Sequence, residues 1–166
     1  MHKDVSVRGC TTVVYIEPDR TNALLMKYLL DSRADYILHR AKDGSSGLEL
    51  CRQVSPDLVV TEMHLPDMVA YDILQALRAD PATQGLPCIV FSGDAMPDHI
   101  KQALDSGFDD YWVKPIDIWR LLQNIDDVAS RRHLVLRRKK VNSKPEVVRL
   151  QESLLCFNAD AALMSC

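Results

Sequence analysis

Residues 56–68 read PDLVVTEMHLPDM. Leu58, Val59 and Val60 form an unbroken, mostly β-branched apolar run that opens after a proline and stops at Glu62. A short run of this kind, closed by the turn residues Pro66-Asp67, is the pattern of a strand buried on both faces. Three other runs share it: TVVYI at 12–16, PCIVF at 87–91 and YWV at 111–113. A fifth, YILHR at 36–40, alternates only in part and suits a sheet edge.

The intervening segments carry helical spacing. Leu25, Tyr28 and Leu29 mark the first, Leu48, Cys51 and Val54 the second, and Ile73, Leu74 and Leu77 the third. Ile100, Ala103 and Leu104 mark the fourth. The clearest stripe is the fifth: Ile118, Leu121, Leu122, Ile125, Val128 and Ala129. Asp43-Gly44-Ser45 opens a helix, Ser55-Pro56 ends one, and Ser106-Gly107 supplies a left-handed stop. Strand and helix therefore alternate five times. Strands covered on both faces and joined through helices require a parallel sheet with right-handed crossovers, a doubly wound (βα)5 α/β fold.

At 166 residues the chain is long enough for one well-buried core and too short for two ordinary domains. Hydrophobic residues at 47% and charged residues at 26% exclude disordered and fibrous classes. No apolar run reaches the roughly 20 residues of a membrane span, and MHKDVSVRGC lacks a secretory apolar stretch, so a cytoplasmic protein is expected. Cys10, Cys51, Cys88, Cys156 and Cys166 are odd in number and never paired as C-x-x-C, which indicates neither zinc nor a disulfide framework.

The net charge of −3 conceals an asymmetry. Residues 1–130 hold 12 basic and 20 acidic side chains, for −8, and residues 131–166 hold 8 and 3, for +5. The organisation that follows is an extension at 1–10, a globular domain at 11–130 and a C-terminal tail, helical or disordered, at 131–166. RRHLVLRRKK at 131–140 reads as a solvated continuation of the last helix more readily than as a nucleic-acid surface, and no recognition motif accompanies it. Val147, Leu150 and Leu154 are spaced for a short amphipathic helix.

In an open parallel sheet, ligands bind beyond the carboxyl ends of the strands. Those ends carry Glu17, Glu62, Ser92 and Lys114. Carboxylates hold a hard cation, an ammonium neutralises phosphoryl oxygens and a hydroxyl donates to one of them, so the set describes a site for a divalent cation and a phosphoryl group. Scattered His39, His64 and His99 make a histidine metal site or a phosphohistidine an unattractive alternative.

VVYIEPDRTN, PDLVVTEMHLPDM, IVFSGDAMPD and GFDDYWVKPID together resemble, in order and spacing, the four signatures of response-regulator receiver domains, especially those fused to hybrid histidine kinases. The resemblance covers residues 11–130. It implies a flavodoxin-like sheet of order 2-1-3-4-5, a non-enzymatic role in two-component or phosphorelay signalling, and a histidine kinase or other signalling protein as partner. By position, Glu17 corresponds to the first acid of the acidic pair, Glu62 to the phosphorylated Asp, Ser92 to the switch hydroxyl, Tyr111 to the switch aromatic and Lys114-Pro115 to the family's Lys-Pro. Weak magnesium binding would then use Glu17, Glu62 and the backbone carbonyl of His64. His99 falls near the face through which receivers dock, and a homodimer through the fourth-to-fifth helix face or the tail is a further expectation.

Three departures fall on the chemistry. Pro18 stands where the second acid belongs and offers neither a side-chain oxygen nor an N–H, so magnesium affinity should drop. Asp19 either restores that charge or caps the next helix. Val69-Ala70 replaces the usual Asp-Gly. Glu62 is one methylene longer than Asp, a displacement on the order of 1 Å that costs an in-line attack roughly 100-fold. Its added reach also allows a permanent pair with Lys114, a partial imitation of the phosphorylated state because a carboxylate lacks the charge and oxygens of an acyl phosphate. The leading expectation is a receiver that works by protein–protein contact without standard Asp phosphorylation. Two alternatives stand beside it: phosphoacceptance on Glu62 or a nearby Asp such as Asp67, and a nucleic-acid adaptor acting through the basic tail.

Overall fold

The computed structural model describes residues 10–142, with side chains described as far as residue 135. Its elements follow the chain as β1 (Thr11–Ile16), α1 (Arg20–Asp31), β2 (Tyr36–Ala41), α2 (Gly44–Val54), β3 (Leu58–Thr61), α3 (Ala70–Ala79), β4 (Cys88–Ser92), α4 (Pro97–Asp105), β5 (Asp110–Val113) and α5 (Ile118–Asn142). All four strand pairings are parallel and the sheet order is β2-β1-β3-β4-β5. This is the doubly wound sheet expected from the five strand–helix alternations, with the YILHR strand at an edge.

Alternation along the strands builds two apolar layers. Val13 and Tyr15 of β1, Leu58 and Val60 of β3, and Ile89 and Phe91 of β4 face α1 and α5, where Met26, Leu30, Leu121 and Ile125 complete the layer. Val14, Ile16, Val59 and Val90 face the opposite way, against Cys51 of α2, Ile73 and Leu77 of α3 and Ala103 of α4. Tyr111 and Trp112 enter opposite layers, and both are buried because helices cover both faces.

Local chemistry sets the helix ends. Asp19 caps α1 by accepting from the Asn22 N–H at 2.8 Å, and Asp43 caps α2 by accepting from Ser46 N–H at 2.9 Å. Ser55 closes α2 in the left-handed region (φ 48°), and Gly107, at φ 104°, ends the α4 turn in a conformation that glycine adopts without penalty. Gly47 lets α2 lie directly on β1, since a Cβ there would come within 2.3 Å of Ile16 Cδ1.

One helix face differs from the expected one. Leu29 is buried as expected, but Leu25 and Tyr28 are 50% and 76% exposed, and Ala23, Met26 and Leu30 complete the buried face of α1. LLMKYLL is apolar on more than one side, so its phase is decided by packing rather than by spacing. Ile118 and Leu104, expected within their stripes, are also largely exposed.

The first compact unit of the chain ends at His133, and Leu134 opens a second. The basic run at 131–140 is helical, within α5. The expected amphipathic segment at Val147–Leu154 and the extension at 1–9 lie outside the described residues. No helix among the described residues is long and apolar enough to cross a membrane.

Candidate functional site: the carboxyl-edge crevice

Register carries four side chains to one end of the sheet. Glu17 follows β1, its N–H donating to Ala41 O at 2.9 Å, and Glu62 follows β3, its N–H donating to Ile16 O at 2.9 Å. Lys114 follows β5 and is held by its N–H on Ser92 O at 2.8 Å; the Lys114-Pro115 peptide is cis. Residues 97 and 52 positions apart in sequence thereby meet.

Lys114 Nζ donates to Glu62 Oε2 at 2.8 Å and also to Glu17 Oε2. The side chains of Glu17, Glu62 and Lys114 are only 2%, 15% and 16% exposed, so this bridge is poorly screened by water. Each carboxylate has further donors. Tyr15 O–H lies 2.8 Å from Glu17 Oε2, Asp19 N–H lies 3.0 Å from Glu17 Oε1, and Met63 N–H lies 2.7 Å from Glu62 Oε1. Burial, followed by the charge of Glu17, pushes the Tyr15 phenol far above its usual range, so it serves as a fixed donor. The ammonium also sits 5.1 Å from the centroid of the Phe91 ring.

These contacts bear on the magnesium expectation. A divalent cation needs several oxygens with free lone pairs. Glu17 already accepts three hydrogen bonds, Pro18 brings no side-chain oxygen, and the Asp19 carboxylate caps α1. The loop bonds Ala70 N to Met63 O and Leu65 N to Met68 O leave the His64 carbonyl out of that ladder. One backbone oxygen and two carboxylates bridged by a lysine do not fit a divalent cation. Among the described residues, no group of three or more His, Cys, Asp or Glu side chains is arranged to hold a metal.

Asp67 does not approach the crevice. Its oxygens accept from Gly44 N–H at 2.8 Å, Ser45 N–H at 2.9 Å and Ser45 Oγ at 2.7 Å, tying the β3–α3 loop to the start of α2. Those bonds, the Ser45 hydroxyl foremost, pull its pKa down to about 2. The Asp67 carboxylate is thus held on the first turn of α2.

Ser92 and Tyr111 meet through a hub that the sequence did not flag, Asp94. Its N–H donates to Ser92 Oγ at 3.3 Å, its carbonyl accepts the inward Tyr111 O–H at 2.9 Å, and its carboxylate accepts from Met96 N–H at 3.0 Å. The remaining carboxylate oxygen lies 2.6 Å from Nδ1 of the exposed His99. The Met96 amide and then the His99 ring hold the Asp94 carboxyl below the usual range. The signal that would have found it is the Ser-Gly-Asp turn after β4, a turn sequence without a unique reading.

The sequence profile of the response regulator receiver domain matches residues 13–126, more than half of the chain. The chain belongs to the response-regulator receiver family. The receiver is 28% identical over 119 residues to the chemotaxis protein CheY of Pseudomonas aeruginosa, covering 72% of this chain and 96% of that protein. It is 33% identical over 98 residues to the DNA-binding dual master transcriptional regulator RpaA of Synechocystis, covering 59% of this chain but 41% of that protein. A 25% identity over 134 residues links it to histidine kinase P4 of Formosa agariphila, spanning 81% of this chain and 10% of the kinase. The receiver thus spans nearly all of a single-domain relative and a minor part of multidomain ones. Among solved structures, it is similar to the CheY4 chemotaxis regulator of Vibrio cholerae, with TM-score 0.66 at 18% identity over 72% of this chain and 98% of that one. The fold is also that of a response regulator receiver domain protein from Clostridium thermocellum, TM-score 0.68 at 24% identity over 75% of this chain and 98% of that one. The expected fold and its role as a receiver in two-component signalling stand.

Proposed function

We propose that this receiver signals through protein–protein contacts without standard Asp phosphorylation, its phosphate pocket held by an internal ion bridge. The observation that carries the reading is Lys114 between Glu17 and Glu62. The ammonium that would neutralise an incoming phosphoryl group is already shared by two carboxylates. Glu62 further spends one oxygen on Met63 N–H, which turns it from an attacking direction. The metal that would withdraw charge from the phosphoryl oxygens lacks a fitting donor set, so no transfer step is assigned to this crevice. Ser92 and Tyr111 stay on the Asp94 hub, in an arrangement that does not wait on phosphate. The partner is a histidine kinase or another signalling protein of the cytoplasm, met through the α4–β5–α5 face near His99. Nucleic-acid binding by the basic run and self-association through that face or the tail are secondary to this contact.

The test incubates the full chain with magnesium and either acetyl phosphate or beryllofluoride, followed by intact mass and tryptophan fluorescence. The double variant Pro18→Asp/Glu62→Asp serves as positive control. The natural chain is expected to show neither an adduct of about 80 Da nor a spectral change, and the double variant to gain a response. A stable adduct on the natural chain, mapped to Glu62, would overturn the reading.

A further inference from the structure

The receiver body is acidic, yet a cleft of about 610 Å³ at the carboxyl ends of β1 and β2 is lined by Arg20, Lys27, Arg40 and Lys42, with Ser46 beside them. Ion pairing does not account for this cluster. Lys27 pairs with Asp31 one turn along α1. Among the described residues, Arg20, Arg40, Lys42 and Arg120 are the Lys and Arg side chains with neither hydrogen bond nor ion pair, and three of these four line this one cleft. Like charges gathered in a concavity repel one another and raise the local potential, an arrangement that an arriving anion relieves. The one acid in the lining, Glu17, has both oxygens engaged on the crevice side by Tyr15, Asp19 N–H and Lys114.

Asp67 and Asp43 take the Gly44, Ser45 and Ser46 amides at the start of α2, and Asp19 takes the Asn22 amide of α1, so the side chains are the main means of recognition in the cleft. Two guanidinium forks and two ammoniums are the groups that hold phosphate oxygens, the forks bidentately and the ammoniums as point charges. The cations come from three separate places, the start of α1, the end of β2 and the loop before α2, and two linked phosphates present more oxygens to them than one does. The volume lies within the range of sites for small ligands. We propose that this cleft binds a ligand carrying a diphosphate group, held by Arg20, Arg40 and Lys42.

The site is independent of the reading of Glu62: loss of either leaves the other standing. Titration calorimetry of the full chain in EDTA with pyrophosphate, ADP, inorganic phosphate and polyglutamate tests it, because chelation removes any metal bridge to Glu17. Saturable one-to-one binding of pyrophosphate or ADP, tighter than that of phosphate, is expected. A preference for ADP over pyrophosphate would assign part of the affinity to a nucleoside, and equal affinity would assign it to the diphosphate alone. Arg20→Ser and Arg40→Ser each weaken binding by about tenfold or more, as loss of a charge-assisted bond does, whereas Arg120→Ser, the same charge change at the unpaired cation outside the cleft, leaves it unchanged. Absent binding, equal weakening by Arg120→Ser, or heat from polyglutamate alone would overturn the proposal.

Discussion

At Lys114, one positive charge lies between two carboxylates, and removing it is a different perturbation from removing either acid. Without the ammonium, Glu17 and Glu62 face each other in a site that excludes most water, with the Tyr15 hydroxyl and two amides as their remaining donors. Removing one partner of a buried pair costs several kcal/mol because it strands the other charge. Lys114→Met is therefore expected to lower the unfolding free energy by about 3 kcal/mol at pH 7, in urea titrations followed by circular dichroism. Glu62→Gln keeps the Glu17–Lys114 pair and should cost clearly less. Equal losses for the two would mean that water screens the bridge and that it does not hold the pocket.

α5 displays the difference between an element's anchor and its exterior. Ile125 is fully buried against the β1–β3–β4 face, whereas Trp119, nearer the start of the helix, is 75% exposed. Truncating the first opens a cavity and truncating the second does not. Ile125→Ala should cost about 3 kcal/mol and Trp119→Ala within about 0.5 kcal/mol, read from the same urea midpoints. Elements of this kind were legible in the sequence because their apolar residues form one stripe: Leu121, Ile125, Val128 and Ala129 are buried as the spacing predicts. α1 was legible as a helix but not in phase, since six of the seven residues in LLMKYLL are apolar and only the sheet decides which side is covered. Strand ends moved by a single residue, as at β4, which runs Cys88–Ser92 rather than 87–91. The crevice was legible as a list, because strand ends converge in any parallel sheet, but its bonds were not. That Asp19 caps α1, that Asp67 turns to α2 and that Lys114 bridges two acids depend on side-chain directions at loops, which no periodicity specifies.

Across the whole molecule, the groups with displaced pKa values set how stability follows pH. Asp67 binds its proton less readily in the folded chain, at about 2, than in the unfolded chain. Such a group contributes stability above the unfolded value near 4, and the contribution is lost as pH falls toward 2. Tyr15 and Tyr36 are displaced the other way, first by burial and then by the carboxylates of Glu17 and Asp126 beside them. Their contribution is full below the unfolded tyrosine value of about 10 and is lost above it, because the unfolded chain then releases protons that the folded one retains. A plateau between these limits is the expected form of the urea midpoint against pH. Asp67→Asn should flatten the acid limb between about pH 4 and pH 2 without moving the alkaline one, and Tyr15→Phe should flatten the alkaline limb above about pH 10 without moving the acid one. An acid limb that keeps its slope in Asp67→Asn would show that the clasp between the β3–α3 loop and α2 does not report on global folding.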